Sequence, residues 1–148
     1  MVRRLLLISA GATLLILAAL PAKAVDLQPG LWEVSGKTER DGVITPRPMR
    51  TKCITPEKAK DISRRPSIEF SPSRGSESCK TVDSQKTVNG MTWRLQCAGL
   101  ITAEQTGSFV FDSPQHYTIL LKTTATAGRR TQTSTLTVEG RRIGECPQ

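Results

Sequence analysis

The sequence contains very little of the chemistry on which metal sites and redox centres depend. Its 148 residues include one histidine, His116, and no two of its four cysteines stand at Cys-x-x-Cys spacing. A structural zinc site usually needs four cysteine or histidine ligands, and thiol–disulfide enzymes use the Cys-x-x-Cys motif. A glycine-rich phosphate loop is missing as well. We therefore expect no metal and no cofactor.

Residues 1–24 have the layout of a secretory signal peptide. Arg3 and Arg4 form a basic start, residues 5–20 are apolar apart from three small residues, and Ala22-Lys23-Ala24 is a cleavage site. An uncleaved membrane anchor is the alternative, but the apolar run is slightly short for a spanning helix of about 20 residues. No cysteine lies near the cleavage site, so we expect no lipoprotein anchor. We expect a periplasmic protein with a single domain over residues 25–148.

The mature chain is moderately basic and poor in aromatic residues. Three of the 21 lysines and arginines lie in the signal peptide, so 18 remain against 13 acidic residues, which gives a net charge of +5. This sign is compatible with contact with a lipid or another anionic envelope component, but an ordinary solvated surface is the commoner reason for such a charge. Export and an aromatic content of 4% argue against nucleic acid as a partner.

The four cysteines, all in the mature part, predict two disulfides. An even number of cysteines in a short exported chain is typical of a disulfide framework. We favour a nested pairing of Cys79 with Cys97 and of Cys53 with Cys146. The pairing of Cys53 with Cys79 and of Cys97 with Cys146 is the open alternative.

A β-hairpin is predicted between Cys79 and Cys97. Asn89-Gly90 is the strongest short-range hairpin signal, because both residues tolerate the positive φ of a type I′ turn. After this turn apolar and polar residues alternate, which is typical of a half-buried strand. The apolar set is Met91, Trp93, Leu95 and Cys97.

Two registers of this hairpin conflict. A two-residue turn at the Asn-Gly pair places Val82 and Val88 on the apolar face and Cys79 on the opposite face. A disulfide from Cys79 to the far end of the second strand requires Thr81 opposite Leu95 instead, through a longer loop or a bulge. Burial favours the first register and cross-linking needs the second, so both remain open at this point.

Segments rich in β-forming residues continue along the mature chain between turn signals. We count about seven or eight strands with short connections. Pro46 and Pro48 cannot donate to a ladder, so their segment is predicted to be irregular or at a sheet edge. One short helix is predicted from about Pro56 to Ser63, with Thr55 as its cap.

These elements predict an all-β domain. Successive hairpins give an antiparallel meander that forms a small barrel or a strongly curved sheet, with one short helix after strand 2. An immunoglobulin-like sandwich is the alternative, but its Cys…Trp…Cys pattern is missing. A long loop rich in Ser, Arg, Pro and Gly is expected over Arg64–Ser78, and we predict a monomer.

The order of several short motifs resembles an uncharacterised family of proteobacterial envelope proteins that is classed as a domain of unknown function. The motifs are Pro29-Gly30-Leu31-Trp32-Glu33, Cys53-Ile54-Thr55-Pro56-Glu57, Cys79, Trp93, Cys97-Ala98-Gly99 and Gly140-Arg141-Arg142-Ile143-Gly144-Glu145-Cys146. The resemblance covers nearly the whole mature chain. It implies a periplasmic, cysteine-paired β-domain and brings no catalytic residues.

Four residues are candidates for ligand binding. Trp32 and Trp93 could stack against a ligand, although core packing is the commoner use of tryptophan in a small domain. The Arg141-Arg142 doublet could hold a phosphate or carboxylate group bidentately, although solvated arginine is ordinary at a strand end.

Catalysis is not predicted. His116 is the only conventional base near neutral pH. Ser113 and Asp112 are close to it in sequence, but closeness in sequence is not triad geometry. We predict no enzyme and no catalytic residues.

The sequence thus favours a non-enzymatic binding or envelope-homeostasis module for a lipid-like or anionic amphiphile. The alternative is a protein-interaction module, such as an inhibitor or chaperone of an envelope protein, that presents the Arg64–Ser78 loop.

Overall fold

The computed structural model describes residues 26–64 and 78–147. The predicted signal peptide lies outside these ranges, as do residues 65–77 of the predicted loop. The described residues form seven strands and one helix. In chain order these are β1 (Gly30–Arg40), β2 (Val43–Ile54), α1 (Pro56–Arg64), β3 (Ser78–Thr87), β4 (Gly90–Ala98), β5 (Thr102–Ser113), β6 (His116–Ala127) and β7 (Arg130–Gly144). No helix in the described part of the chain has the length and apolar character needed to cross a bilayer.

All seven strands belong to one antiparallel sheet in the order β2-β1-β7-β6-β5-β4-β3. Strands β3 to β7 form a meander, and the β1–β2 hairpin joins the sheet through the pairing of β1 with β7. The two outermost strands, β2 and β3, are not paired with each other, so the sheet is curved but not closed into a barrel. The prediction of an all-β meander with one short helix after strand 2 is confirmed in its curved-sheet form.

The antiparallel order gives the sheet two distinct ends. At the helix end, β1 begins at Gly30, β7 finishes at Gly144 and α1 follows the last residue of β2. At the loop end lie the β1–β2, β4–β5 and β6–β7 connections, side by side.

The core lies on one face of the sheet, because side chains alternate along each strand and directly paired residues share a face. Trp32, Phe109, Ile54 and Ile119 are the largest fully buried side chains. Aromatic rings hold the centre together, with the Tyr117 ring centroid 5.3 Å from that of Trp32 and 5.3 Å from that of Phe109. Each large apolar side chain buried in this way contributes about 1.5–3 kcal/mol.

Helix α1 closes the helix end of this core face. Thr55 caps it as predicted, since its Oγ1 accepts a hydrogen bond from the backbone N–H of Lys58 at 3.3 Å. Ala59 and Ile62 are the buried residues of the helix. The Ser63 hydroxyl accepts a hydrogen bond from the backbone N–H of buried Leu27 at 3.0 Å, which fixes the helix to the chain before β1.

The turn predicted at Asn89-Gly90 is wrong by one residue. Thr87 pairs with Gly90, so the two-residue connection is Val88-Asn89. A Cβ atom on Gly90 would overlap the carbonyl oxygen of Phe109, so this glycine is needed where β4 approaches β5 and not in a turn. The Asp41-Gly42 connection has the two positive φ angles of a type I′ turn, at 53° and 77°.

The register of the central hairpin follows the cysteines. Cys79 lies directly opposite Cys97, Thr81 lies opposite Leu95, and a register shift at Val82 moves the rest of β3 by one residue. This is the bulged register that cross-linking required. The expectation that Val82 and Val88 share the apolar face is therefore wrong, since their side chains are exposed.

The two disulfides form the nested pairing. Cys79–Cys97 links neighbouring strands with a Cα–Cα distance of 4.0 Å. Cys53–Cys146 joins the end of β2 to the chain just after β7, with a Cα–Cα distance of 5.4 Å. Because β1 lies between β2 and β7, the second disulfide spans a strand and ties the edge of the sheet to its interior.

Candidate functional site

Strand β2 turns several cationic side chains towards the core face. Val34 of β1 pairs with Arg50, whereas Gly36 pairs with Arg47. Two residues of β2 therefore lie opposite the single residue of β1 between these pairs, which is a β-bulge. The bulge puts both arginines on the core face, and Lys52 joins them there because it lies opposite Trp32.

A groove of about 470 Å³ lies between these cations and the core face. Its apolar lining residues include Val34, Ile54, Ile62, Tyr117, Leu136 and Val138. Its charged lining residues are Arg47, Arg50 and Lys52. This volume is in the range of small-molecule sites, and a mostly apolar lining with a few polar groups is typical of them.

The groove is apolar on its floor and positive along its rim. Val34 and Leu136 pack against the core but stay only partly buried, so apolar surface remains open there. Arg47 and Arg50 are exposed. Within residues 26–64 and 78–147, neither arginine forms an ion pair with a carboxylate. Such an arrangement can hold a molecule with an apolar body and an anionic head.

Two other depressions lie mainly among side chains of the opposite face and offer less apolar surface. One, of about 540 Å³, lies beside β4, β5 and β6 and includes Lys80, Glu104, Thr124 and Thr126. The other, of about 560 Å³, includes Asp83, Arg94 and Lys122. Each depression is lined by both positive and negative side chains, so neither depression favours an anionic ligand as the groove does.

The predicted tryptophans are in the core. Trp32 is fully buried, and its indole N–H donates to the carbonyl oxygen of Gln28 at 3.1 Å. Trp93 is 3% exposed and lies over Gly107, whose missing side chain makes room for the indole ring. Neither tryptophan is among the lining residues of the groove.

The predicted arginine doublet is divided between two environments. Arg142 is partly buried, its Nε donates to the carbonyl oxygen of Pro29 at 2.7 Å, and its guanidinium pairs with Glu145. Arg141 is exposed on the opposite face. Arg142 lies directly opposite Trp32 in the pairing of β1 with β7, whereas Trp93 lies elsewhere in the core. None of the four residues lines the groove, and a ligand-binding role for them stays a prediction.

The groove residues Arg47 and Arg50 were missed because strict alternation puts positions three apart on opposite faces of a strand. Only the pairing with β1 reveals the bulge. Pro46 and Pro48 did mark β2 as an edge strand, and every residue of β2 except Ile54 is exposed. The two prolines were therefore the signal in the sequence that this strand is open to a partner or to solvent.

His116 is held between two carboxylates. Its Nδ1 lies 2.6 Å from Asp112 Oδ1, and its Nε2 lies 2.8 Å from Glu139 Oε1. The hydrogen bond with Glu139, followed by that with Asp112, holds the pKa of His116 above its ordinary value. The hydrogen bond with His116 in turn holds the pKa of Asp112 below its ordinary value. When the ring is protonated, each of its two N–H groups donates to a carboxylate.

This cluster lacks the arrangement of a catalytic triad. Ser113 Oγ accepts a hydrogen bond from the backbone N–H of Gln115 at 3.2 Å, while both ring nitrogens of His116 are occupied by carboxylates. A general base needs an available nitrogen lone pair beside its nucleophile. Among the described residues, no three His, Cys, Asp or Glu side chains are placed to hold a metal ion together.

Comparison with known protein families identifies one family to which this chain is similar. A family model described as "Protein of unknown function (DUF3617)" matches residues 27–146. The chain belongs to the DUF3617 family. No curated protein and no solved structure matches this DUF3617 chain.

Proposed function

We propose that this DUF3617 protein is an exported, non-enzymatic binding protein for an anionic amphiphile. The observation that carries the proposal is the groove, in which an open apolar floor adjoins three cations. The apolar part of the ligand lies along the floor and its anionic head lies against β2.

The floor supports the apolar part of the proposal. Val34 and Leu136 are incompletely covered, although they adjoin a core whose other members are buried. An acyl chain laid over them would remove this surface from water, at about 25 cal/mol for each Å² of apolar surface. The curved and open sheet gives such a chain access from the side of β2.

The rim supports the anionic head. Arg47 and Arg50 lie on the same face as the floor, and no described carboxylate neutralises them. The planar guanidinium group matches a carboxylate or phosphate in a bidentate geometry, and these charge-assisted hydrogen bonds are among the stronger ones. Both arginines can meet the same head group because they lie on neighbouring positions of one face.

The proposed compartment and the absence of catalysis have separate support. The signal-peptide pattern of residues 1–24 and the two disulfides both fit an oxidising compartment such as the periplasm. His116, the only conventional base near neutral pH, has a carboxylate oxygen within hydrogen-bond distance of each ring nitrogen.

Native mass spectrometry of the mature protein from the periplasm is the first test. We expect a mass that is four protons light, for two disulfides, together with a lipid-like adduct. Calorimetric titration with dodecanoate then tests charge recognition, with dodecyltrimethylammonium as a probe of equal chain length and opposite charge. We expect dodecanoate to bind and the cationic probe to bind much more weakly.

Substitutions of the groove arginines test whether the groove is the binding site. The double variant Arg47→Gln and Arg50→Gln should weaken dodecanoate binding by about tenfold or more, because each lost charge-assisted hydrogen bond is worth about 1.5–3 kcal/mol. Arg94→Gln is the matched control, since Arg94 is an exposed arginine on the opposite face. Equal binding by the double variant, or equal binding of both probes, would remove the proposed head-group site.

The alternative function that the sequence predicts is that of a protein-interaction module. A clean apoprotein mass with two disulfides and no dodecanoate binding would remove the amphiphile proposal. The next experiment would then be a pull-down with the intact protein and with a variant lacking residues 65–77. Recovery of the same partner by both would exclude that segment as the binding element.

A further inference from the structure

Apolar side chains project into solvent at the loop end of the sheet. In the β4–β5 connection, the side chain of Leu100 is 98% exposed and that of Ile101 is 44% exposed. Isolated exposed apolar residues are ordinary, but two in succession at the tip of a connection form a small apolar projection. Leu100 makes almost no contact with the rest of the described domain, so the fold itself does not explain it.

Two arginines lie beside this projection. Thr102 pairs with Thr126, so Ile101 lies at the level of the β6–β7 turn on the neighbouring strand, about 5 Å away. Arg129 lies in that turn, Arg130 is the first residue of β7, and both are exposed. Residues 99–103 and 125–133 contain no aspartate or glutamate. Asp41 of the neighbouring β1–β2 turn contacts Gln132 at 3.5 Å, and no ion pair of Arg129 or Arg130 is found within the described part of the chain.

The helix end has a different character. Its turns, Val88-Asn89 and Ser113–Gln115, contain no lysine or arginine. The nearby charges at the second turn include the carboxylates of Asp112 and Glu139 around His116. Val88 is 75% exposed, yet no cationic residue accompanies it within its turn. An apolar tip beside two arginines that form no ion pair within the described residues therefore distinguishes the loop end.

We propose that the loop-end patch, formed by Leu100, Ile101, Arg129 and Arg130, docks on an anionic phospholipid bilayer. Leu100 and Ile101 enter the boundary between head groups and acyl chains, as apolar residues of interfacial proteins do. Arg129 and Arg130 bind lipid phosphates, and an anionic membrane surface attracts them before contact. The charge of the patch complements this surface, and its two apolar side chains gain the burial that the fold does not give them.

The patch and the groove contain different residues, so docking and amphiphile binding can fail independently. If both hold, the domain takes up or releases its amphiphile while it rests on the membrane.

Flotation of the mature, oxidised protein with vesicles tests the docking. One set of vesicles contains phosphatidylcholine alone, and the other contains added phosphatidylglycerol. We expect binding to the second set, weakened by salt, and little binding to the first. The double variant Leu100→Ser and Ile101→Ser should lose about tenfold or more in partitioning, because it removes two apolar side chains from the interface. Arg129→Gln with Arg130→Gln should lower the preference for phosphatidylglycerol.

Val88→Ser is the matched control, because it replaces an exposed apolar residue in a turn at the other end of the sheet. It should bind vesicles like the wild type. Unchanged partitioning of the Leu100/Ile101 variant, equal binding to both vesicle types, or an equal loss in Val88→Ser would overturn the proposal.

A second measurement does not depend on a loss of binding. Tryptophan placed by Leu100→Trp should be quenched by brominated lipids in phosphatidylglycerol vesicles, whereas tryptophan placed by Val88→Trp should not be. The native tryptophans, Trp32 and Trp93, are buried in the core and provide a constant background. Equal quenching of the two variants, or quenching of neither, would also overturn the docking.

Discussion

The imidazole Nε2 of His116 lies 2.8 Å from Glu139 Oε1 and so ties the first residue of β6 to the neighbouring strand β7. The other ring nitrogen meets the carboxylate of Asp112 at the end of β5. This one side chain thereby links three adjacent strands at the helix end of the sheet. A neutral imidazole has a single N–H and could donate to only one of the two carboxylates.

This cluster predicts that stability falls as pH rises through the neutral range. Because the pKa of His116 is above 6.5 in the folded protein, the folded state holds the proton more tightly than the unfolded chain. The resulting stabilisation is complete below about pH 6.5 and is lost as pH rises through the folded pKa. Urea unfolding at pH 6 and pH 8.5 should show this loss in the wild type and not in His116→Gln.

The same cluster predicts how the stability of the folded protein changes in acid. The pKa of Asp112 is below 3.8 in the folded protein, so its contribution is present above that value and is lost as pH falls through the folded pKa. Asp112→Asn should remove this acid dependence. Since the chain has one histidine, an NMR titration of untagged protein reads the pKa of His116 without ambiguity. A measured pKa at or below 6.5 would contradict the stabilisation of protonated His116 by Asp112 and Glu139.

Gly107 should not tolerate even a methyl group. A Cβ atom at this position would overlap the indole ring of Trp93, which is 3% exposed and has little room to move. Overpacking of a core costs about 1–3 kcal/mol, so Gly107→Ala should lower the free energy of unfolding by at least that amount. Gly144→Ala is the control, because nothing lies within 4 Å of its added Cβ. Urea unfolding with similar losses in both variants would show that the Trp93 contact is not the cause.

Substitutions of the neighbouring residues Arg141 and Arg142 should differ in their effect on the free energy of unfolding. Arg142 donates to the carbonyl oxygen of Pro29 and pairs with Glu145 from a partly buried position. Arg142→Gln should cost about 1.5–3 kcal/mol, the value of a hydrogen bond with a charged donor. Arg141→Gln, at an exposed site, should stay within about 0.5 kcal/mol of the wild type. Thermal unfolding measures both, and an equal effect would contradict a structural role for Arg142.

Much of the fold was predictable because its signals are local. Apolar and polar residues alternate along β4, and the burial pattern follows that alternation residue by residue. Thr55 and Pro56 marked the start of α1, and Pro46 with Pro48 marked β2 as an edge. The pairing of β1 with β7 was not predictable, since about a hundred residues separate the two strands and no short-range pattern specifies such a partner.

The central hairpin shows how tertiary contacts override a strong local signal. Asn89-Gly90 has the composition of a type I′ turn, but the turn lies one residue earlier. The disulfide places Cys79 opposite Cys97, and the approach of β5 requires a residue without a side chain at Gly90. The bulge at Val82 reconciles these constraints with the apolar face of β4. The sequence contains both constraints but does not decide between the two registers, because the position of β5 is not a local property.

The candidate site was less predictable than the fold. The sequence singled out the Arg141-Arg142 doublet, and that prediction stays open, whereas the arginines that line the groove are Arg47 and Arg50. These two share a face only because of a bulge in β2. A one-residue insertion in a strand reverses the face of every later side chain, and period-two analysis cannot detect it without the partner strand.

The nested disulfides should contribute unequally to stability, because they close loops of very different length. Cys53–Cys146 has a sequence separation of 93 residues, and Cys79–Cys97 has one of 18. Chain entropy then predicts losses of about 4.6 and about 3 kcal/mol when each is removed. The buried sulfur of Cys97 adds a cavity cost to the second variant, which reduces the expected difference to about 1 kcal/mol.

Urea unfolding of two double variants under non-reducing conditions measures this difference. Cys53→Ala with Cys146→Ala should be less stable than Cys79→Ala with Cys97→Ala, and each keeps the other disulfide intact without a free thiol. A larger loss for the shorter loop would show that Cys79–Cys97 acts by holding the register of the bulged hairpin in the folded state. Equal melting of the oxidised and fully reduced wild type would contradict a stabilising role for either disulfide.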